Sequence, residues 1–284
     1  MSRPVTVVEV GPRDGLQNEA VVVPTTAKVE LVERLAEAGL PVVEVTSFVS
    51  PRAVPQLADA DAVLPAVRRR PGVRYPVLVP NVRGLERALA AGADAIAVFT
   101  AASEAFTQAN INMSVAESLH AFAPVLERAR TGGMWTRGYV STAFGCPYQG
   151  AVAPADVAGV AGALFDLGCD EVSIGDTIGA GRPEQVPGVV AAVTDRVPVE
   201  RVALHLHDTG GLALDNAAAG LAAGVRTFDS SAGGLGGCPF APGAPGNVAT
   251  EALVEMLHER GYETGVDLEA VRAAGAWMRG LVGR

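Results

Sequence analysis

The chain has 284 residues, of which 49% are hydrophobic and 19% charged, and this composition supports a large folded core and argues against disorder. Its formal net charge of −9 argues against a nucleic-acid partner, and no apolar run approaches the roughly 20 residues that a membrane span needs. Three scattered cysteines (Cys146, Cys169 and Cys238) and an N-terminus without a signal-peptide layout predict a cytoplasmic protein with reduced thiols and no membrane partner.

Eight Val- and Ile-rich segments predict β-strands that alternate with longer Ala- and Leu-rich helical patterns such as TTAKVELVERLAEAGL (25–40). The predicted strands are VTVVEVG (5–11), PVVEVTSF (41–48), RYPVLVPN (74–81), AIAVFTA (95–101), WTRGYVSTAF (135–144), EVSIGDT (171–177), RVALHLHDT (201–209) and RTFDSSAGG (226–234). This alternation predicts an α/β fold, a (β/α)8 TIM barrel that forms a single catalytic domain over residues 1–284, with an additional C-terminal helical segment at about 266–284. The alternative is an open doubly wound sheet, but no G-x-G-x-x-G motif follows the first strand.

Unusual polar residues follow the predicted strands where each strand ends. The first strand leads into GPRDGLQNE, the sixth ends GDT, the seventh contains HLHD, and the eighth leads into a glycine-rich stretch. Because the active sites of parallel barrels lie at the carboxyl ends of the strands, these residues predict one catalytic site at that rim.

Two histidines in the seventh strand are candidate metal ligands. His205 and His207 share one face of the strand because side chains alternate with period two. Asp14 after the first strand and Asn247 at the end of the glycine-rich stretch would add oxygen ligands, a set that suits Mg²⁺ or Mn²⁺ without excluding zinc. The alternatives are hydrogen-bonded histidines that merely line the barrel and an Asn247 that caps the helix beginning in VATEALVEML.

Arg13, Glu44 and Asp176 are candidate catalytic residues. Arg13 beside a metal could stabilise an oxyanion or an enolate, although a surface ion pair at a turn is the alternative. Glu44 lies in the apolar strand VVEVTSF, where an unpaired carboxylate is costly, so Arg13 is its expected partner. Asp176, in SIGDT, is assigned to the site for the same reason.

The stretch GGLGGCPFAPGAPGN (233–247) predicts a loop, because glycine and proline do not build strand or helix interiors. Its thiol, Cys238, could act as a general acid or base if its pKa moves towards neutrality. The alternative is a small residue that is incidental to a turn.

Taken together, these motifs resemble the 3-hydroxy-3-methylglutaryl-CoA lyase family of metal-dependent TIM-barrel enzymes. The resemblance covers nearly the whole chain and includes VEVGPRDGLQNE, TSFVSPRAVPQLADAD, AASEAFTQANIN, RGYVSTAFGCPYQG, GDTIGAG and GLGGCPFAPGAPGN. It implies a retro-Claisen cleavage of an acyl-CoA, a divalent cation without an organic cofactor, and a homodimer.

Matched residue by residue, the family's pattern also implies roles for the site. Asp14, His205, His207 and Asn247 match the metal ligands, Arg13 the group that neutralises the enolate oxygen, and Cys238 a thiol that transfers a proton from a loop closing over the substrate. Glu44 and Asp176 match further active-site carboxylates, while Gln17, Arg13 and Ser47 are expected to contact the substrate.

Gly210 departs from the family's pattern, in which Tyr often follows HDT. One hypothesis is a reshaped pocket for a bulkier 3-hydroxyacyl-CoA, and the other is a neutral change that a neighbouring side chain fills. Two further alternatives are a condensing synthase of the same barrel group, which usually has extra C-terminal regions, and a non-catalytic barrel, against which the complete set of site residues argues.

Overall fold

The computed structural model describes residues 3–238 and 241–284, with the backbone alone described at 238 and 241–245. Its main sheet consists of parallel strands in the hydrogen-bonded order β2-β1-β9-β8-β7-β6-β5-β4-β3. The strands are β1 (Thr6–Glu9), β2 (Val42–Val43), β3 (Thr46–Ser47), β4 (Val77–Leu78), β5 (Ala95–Ala101), β6 (Trp135–Ser141), β7 (Glu171–Asp176), β8 (Val202–Leu206) and β9 (Thr227–Ser230).

The sheet closes on itself because β2 and β3 are halves of one continuous segment. Only Glu44 and Val45 separate them; β2 pairs with β1, and β3 pairs with β4. The predicted (β/α)8 barrel is therefore confirmed. Its second predicted strand forms two short strands, each paired with a different neighbour.

Helices occupy the intervals between strands and cover the outside of the barrel. They are α1 (Thr25–Glu37), α2 (Ala60–Ala66), α3 (Val82–Ala90), α4 (Glu104–Ile111), α5 (Val115–Thr131), α6 (Pro154–Asp166), α7 (Val186–Thr194), α8 (Ala213–Ala222), α9 (Thr250–Glu259) and α10 (Leu268–Val282). The main apolar core lies between the sheet and these helices, and includes the fully buried Val43, Val98, Val125, Leu164 and Leu253. Among the described residues, no helix combines the length and hydrophobicity that crossing a membrane requires.

The helix predicted near the C-terminus is α10. Its first turn is capped by the Asp267 carboxylate, which accepts a hydrogen bond of 3.0 Å from the backbone N–H of Ala270. The helix packs against α1, where the guanidinium of Arg34 lies 4.5 Å from the centre of the Trp277 ring.

The centre of the barrel is polar. Charged and hydroxyl side chains from successive strands bond to one another across the interior, and they include Arg137, Tyr139, Ser173, His205 and Asp229. Because buried charges are costly unless they are paired, this layer indicates a functional site inside the upper barrel.

The glycine-rich stretch is more regular than the predicted loop. It contains a short antiparallel ribbon of β10 (Gly237–Cys238) and β11 (Ala241–Pro245), with Gly237 opposite Pro245 and Cys238 opposite Ala241. A ribbon of two strands uses one edge of each strand, so it tolerates proline, which lacks a backbone N–H.

Candidate active site

The sequence GPRDG at the end of β1 forms a single π-helical turn, Gly11–Gly15. Such turns are rare and occur often at functional sites. Glycine at position 15 permits close packing, because an added Cβ would lie 2.7 Å from the hydroxyl oxygen of Ser231. The turn places the side chains of Arg13 and Asp14 at the carboxyl end of the barrel.

The four predicted metal ligands lie together. Donor atoms of Asp14, His205 and His207 lie within 4.8 Å of one another. Asn247 donates a hydrogen bond of 2.9 Å from Nδ2 to Oδ2 of Asp14, which leaves its carbonyl oxygen available as a ligand. The backbones of His207 and Asn247 are joined by an antiparallel bridge, so the end of β8 fixes both residues.

Asn247 is not a helix cap. Helix α9 begins at Thr250, and Ala249 occupies the N-cap position. The capping alternative for Asn247 is therefore wrong, because the chain continues as extended backbone for two residues before the helix begins.

The ionisation of the cluster suits a divalent cation. Burial acts to raise the pKa of Asp14, but the nearby charges of Arg13, His205 and His207 outweigh burial and hold that pKa well below its usual range. Burial, together with His205, lowers the pKa of His207 to about 4. At neutral pH the site offers a carboxylate and a neutral imidazole, and Nδ1 of His207 is buried with no hydrogen-bond partner among the described residues. This donor set fits a divalent cation, which requires deprotonated ligands.

Arg13 is held between two carboxylates. Its Nε donates to Oε2 of Glu44 over 2.7 Å, and its Nη1 donates to Oδ1 of Asp14 over 2.5 Å. The hydroxyl of Tyr139 also donates to Oε2 of Glu44 over 3.0 Å, and the Tyr139 ring centre lies 5.2 Å from the Arg13 guanidinium carbon. Glu44 thus has the partner that the sequence predicted, and the guanidinium is fixed beside the candidate metal ligands.

Asp229 and Arg137 belong to the site but escaped the sequence analysis. Asp229 lies 3.2 Å from Nδ1 of His205 and accepts a hydrogen bond of 2.6 Å from Nη2 of Arg137. Burial acts to raise the pKa of Asp229, but Arg137 and His205 outweigh burial and lower it. The contact leaves Nε2 of His205 facing Asp14, 3.9 Å from its Oδ2. In metal sites, a histidine that binds the metal through one ring nitrogen commonly donates a hydrogen bond from the other to a carboxylate, which orients the ring.

Asp176 and Gln17 bond to the protein itself. The carboxylate oxygens of Asp176 accept hydrogen bonds from the backbone N–H groups of Ala180 (3.0 Å) and Gly181 (2.9 Å), so Asp176 shapes the loop after β7. Gln17 donates over 3.3 Å to Oδ1 of Asp14 and thereby supports a candidate metal ligand.

Of the two hydroxyls in the TSF motif, Ser47 bonds to nearby backbone groups. It donates to the carbonyl of Leu78 at 3.5 Å and accepts from the N–H of Val49 at 3.3 Å. Thr46 shares the inward face with Glu44 by strand alternation, and its buried hydroxyl has no hydrogen-bond partner among the described residues. The hydroxyl of Thr46 is therefore open to a further partner inside the barrel, and the contact of Ser47 with the substrate stays a prediction.

The backbone of Cys238 belongs to β10, but its side chain lies outside the described residues. The role of its thiol therefore stays a prediction.

Gly210 lies where two loops meet. A Cβ added at Gly210 would lie 2.7 Å from the carbonyl oxygen of Gly179, in the loop after β7. A Cβ at Gly179, whose φ is +62°, would in turn lie 2.8 Å from the backbone nitrogen of Thr209. Glycine at position 210 therefore permits close backbone packing, and the space next to its Cα is not an enlarged pocket.

Comparison with known proteins gives a consistent result. The family model described as HMGL-like matches residues 4–277. The mitochondrial hydroxymethylglutaryl-CoA lyase of Bos taurus is 54% identical over 274 residues, which cover 96% of this chain and 84% of that protein. The crystal structure of the HMG-CoA lyase from Brucella melitensis is 54% identical with a TM-score of 0.98, and the match covers 100% of both chains. An HMG-CoA lyase from Acinetobacter baumannii, solved in complex with coenzyme A and 3-methylmalate, is 38% identical with a TM-score of 0.93, covering 99% of this chain and 92% of that one.

Proposed function

We propose, from the premise that this chain belongs to the HMGL-like family, that it is a divalent-metal-dependent carbon–carbon lyase. The proposed reaction is the retro-Claisen cleavage of 3-hydroxy-3-methylglutaryl-CoA to acetyl-CoA and acetoacetate. The observation that carries the proposal is the cluster of Asp14, His205 and His207, with donor atoms within 4.8 Å of one another, next to the fixed guanidinium of Arg13.

In the proposed cleavage the tertiary hydroxyl of the substrate loses its proton to water. The carbon–carbon bond then breaks as the ketone forms, and its electron pair becomes the enolate of acetyl-CoA. Asp14, His205, His207 and Asn247 would hold the cation, Mg²⁺ or Mn²⁺ in this proposal. When bound, the cation supplies Lewis-acid polarisation of the substrate oxygens.

Arg13 faces the negative charge that develops on the enolate oxygen. Because Glu44 and Asp14 hold its guanidinium in place before the reaction, little reorganisation is needed when the charge appears. Glu44 thus acts through Arg13, and Asp176 acts through the loop that it orders. Cys238 is the proposed donor of the proton that the enolate carbon receives, by the family resemblance.

The proposed substrate is an acyl-CoA, and the named complex of the Acinetobacter relative with coenzyme A supports this class. We further propose a homodimer that works in the cytoplasm. The described thiols of Cys146 and Cys169 are free and buried, as expected of a reducing compartment.

The test uses metal-stripped protein incubated with 3-hydroxy-3-methylglutaryl-CoA, with and without Mg²⁺ or Mn²⁺, and measures acetoacetate and acetyl-CoA. We expect both products in equal amounts and only with metal. Arg13→Met should lower kcat by at least about 100-fold with metal binding retained. Arg260→Met, an exposed residue at the end of α9, is the matched control and should leave kcat unchanged.

A panel of 3-hydroxyacyl-CoAs tests the substrate. Preference for the methylglutaryl compound is expected, because Gly210 packs against Gly179 and opens no additional space. Metal binding without cleavage of that compound, combined with cleavage of a bulkier relative, would reject the proposed substrate and keep the reaction class.

A further inference from the structure

Gly236 lies at the base of the glycine-rich ribbon and touches the metal-ligating elements. Its φ is +101°, a left-handed conformation that favours glycine. A Cβ at this position would lie 3.2 Å from Nδ2 of Asn247 and 3.3 Å from Cα of Gly15. Because β10 begins at the next residue, the backbone conformation of Gly236 sets the direction in which the ribbon leaves the site.

Both backbone polar groups of Gly236 are bound by one ion pair. The N–H of Gly236 donates to Oε1 of Glu19 over 3.1 Å, and its carbonyl accepts from Nη1 of Arg284 over 3.0 Å. The same two side-chain atoms lie 3.2 Å apart. Glu19 follows the π-helical turn and its side chain is 8% exposed, whereas Arg284 comes two residues after α10 and is 42% exposed.

Helix α10 supports the same stretch at a second point. A Cβ on Gly275 would lie 2.5 Å from the backbone nitrogen of Gly233. The backbone of α10 therefore packs directly against the backbone of the segment that follows β9. Gly233 and Gly234 also have positive φ, 71° and 59°. A chain so rich in glycine has wide conformational freedom, so its direction must be set by contacts from outside.

We infer that Glu19 and Arg284 are positioning residues of the active site, which hold the backbone N–H and C=O of Gly236 on either side of its Cα and so orient the segment between Gly236 and Asn247. This inference rests on the proposed function, because the orientation of the segment matters to catalysis only if the segment contributes Cys238 and Asn247. Because the side chain of Arg284 is 42% exposed, its removal is expected to change catalysis and local geometry more than the melting temperature.

The test compares Arg284→Met with Arg272→Met in the full-length, Mn²⁺-loaded protein. Arg272 is a matched control, because it lies on α10, is 41% exposed and also pairs with carboxylates. Four quantities are measured: kcat and KM for 3-hydroxy-3-methylglutaryl-CoA, the melting temperature, and the rate at which iodoacetamide alkylates Cys238, which peptide mass spectrometry follows.

We expect Arg284→Met to lower kcat by about 10-fold with little change in KM, since a small misplacement of reacting groups is costly. The alkylation rate of Cys238 should change several-fold, while the melting temperature should match that of Arg272→Met. Arg284→Lys should recover part of kcat, because it restores a cationic donor. Glu19→Gln should act in the same direction as Arg284→Met, and the double variant should be little worse than either single one.

Equal kcat and equal alkylation rates in Arg284→Met and Arg272→Met would overturn the inference. So would a loss of kcat that follows a fall in melting temperature, since that would show a merely structural role. The alkylation rate does not depend on turnover. If the unmodified protein lacks lyase activity but Arg284→Met still changes the alkylation of Cys238, the proposed function fails and the positioning role stands.

Discussion

Oδ2 of Asp229 lies 3.2 Å from Nδ1 of His205, and the two residues are paired in register across the neighbouring strands β8 and β9. When Nε2 of His205 binds a cation, Nδ1 carries the ring hydrogen and donates it to Asp229. Arg137 and Ser173 bond to the same carboxylate at 2.6 Å and 3.0 Å, so the orientation of His205 is fixed from within the barrel.

Asp229→Asn is expected to weaken Mn²⁺ binding by about 10- to 100-fold, because the amide orients His205 less strongly than the carboxylate does. It should also lower the free energy of unfolding of the metal-free protein, since Arg137 loses a buried counter-charge. Isothermal titration with Mn²⁺ measures the first effect and thermal unfolding in EDTA the second. Ser173→Ala, which removes only the hydroxyl contact to Asp229, is the control and should change Mn²⁺ affinity much less. Unchanged Mn²⁺ affinity in Asp229→Asn would show that His205 needs no support from β9.

Glu9 predicts a pH-dependent stability outside the metal site. Its carboxylate is fully buried and accepts hydrogen bonds from the N–H groups of Gly11 and Ala232 and from the hydroxyl of Thr250. Burial, only partly opposed by these bonds, raises the pKa of Glu9 to about 7. Between pH 4.5 and 7 the folded state therefore binds more protons than the unfolded state, so this group's contribution to stability is complete below pH 4.5 and is lost as the pH rises to 7.

Glu9→Gln removes that titration and keeps an acceptor for the two backbone N–H groups. The free energy of unfolding of the variant, relative to the unmodified protein, should rise by up to about 3 kcal/mol between pH 4.5 and 7. Urea unfolding in EDTA across this range measures the difference. Glu30→Gln, on the exposed face of α1, is the control, because it also removes one carboxylate. A pH-independent difference for Glu9→Gln would mean that Glu9 titrates alike in both states.

The strand ends made part of the site predictable from sequence. His205 and His207 stand two residues apart in a strand, and Asp14 and Asn247 follow strand-like segments, so barrel topology alone brings them to one rim. Arg137 was not found in this way, because its partner Asp229 is 92 residues away and the contact exists only after the barrel closes.

Local sequence also left the direction of some side chains open. Ser47 is predicted to contact the substrate, and its hydroxyl also bonds to backbone groups, while the neighbouring Thr46 shares the inward face with Glu44. The adjacent hydroxyls look alike in sequence, and the register of a strand that changes partners between β2 and β3 decides which one points inward.

Gly210→Ala tests whether the loops after β7 and β8 must touch. The added Cβ would meet the carbonyl oxygen of Gly179 at 2.7 Å, so backbone has to move, and we expect a loss of about 1–3 kcal/mol in the free energy of unfolding. Chemical denaturation measures it, with Gly159→Ala as the control, because a Cβ at Gly159 in α6 meets nothing within 4 Å and should be neutral or stabilising. A Gly210→Ala protein as stable as the unmodified one would show that the two loops separate freely.

Metal binding should raise the melting temperature through the same four ligands. A ligand that binds only the folded state stabilises it by about 2.7 kcal/mol at 100 times its Kd, so Mn²⁺ added to the EDTA-stripped protein should shift the transition by several degrees. His207→Ala and Asn247→Ala should each lose most of this shift, whereas His258→Ala, whose exposed imidazole bonds to Thr264, should keep it. Burial, with His205, lowers the pKa of His207 to about 4, so this ligand is already neutral at pH 6. The titration of His207 should therefore cause little difference in the Mn²⁺-induced shift of the melting temperature between pH 6 and 7.5. A full Mn²⁺ shift in His207→Ala would exclude this imidazole as a ligand and would place the cation elsewhere in the barrel.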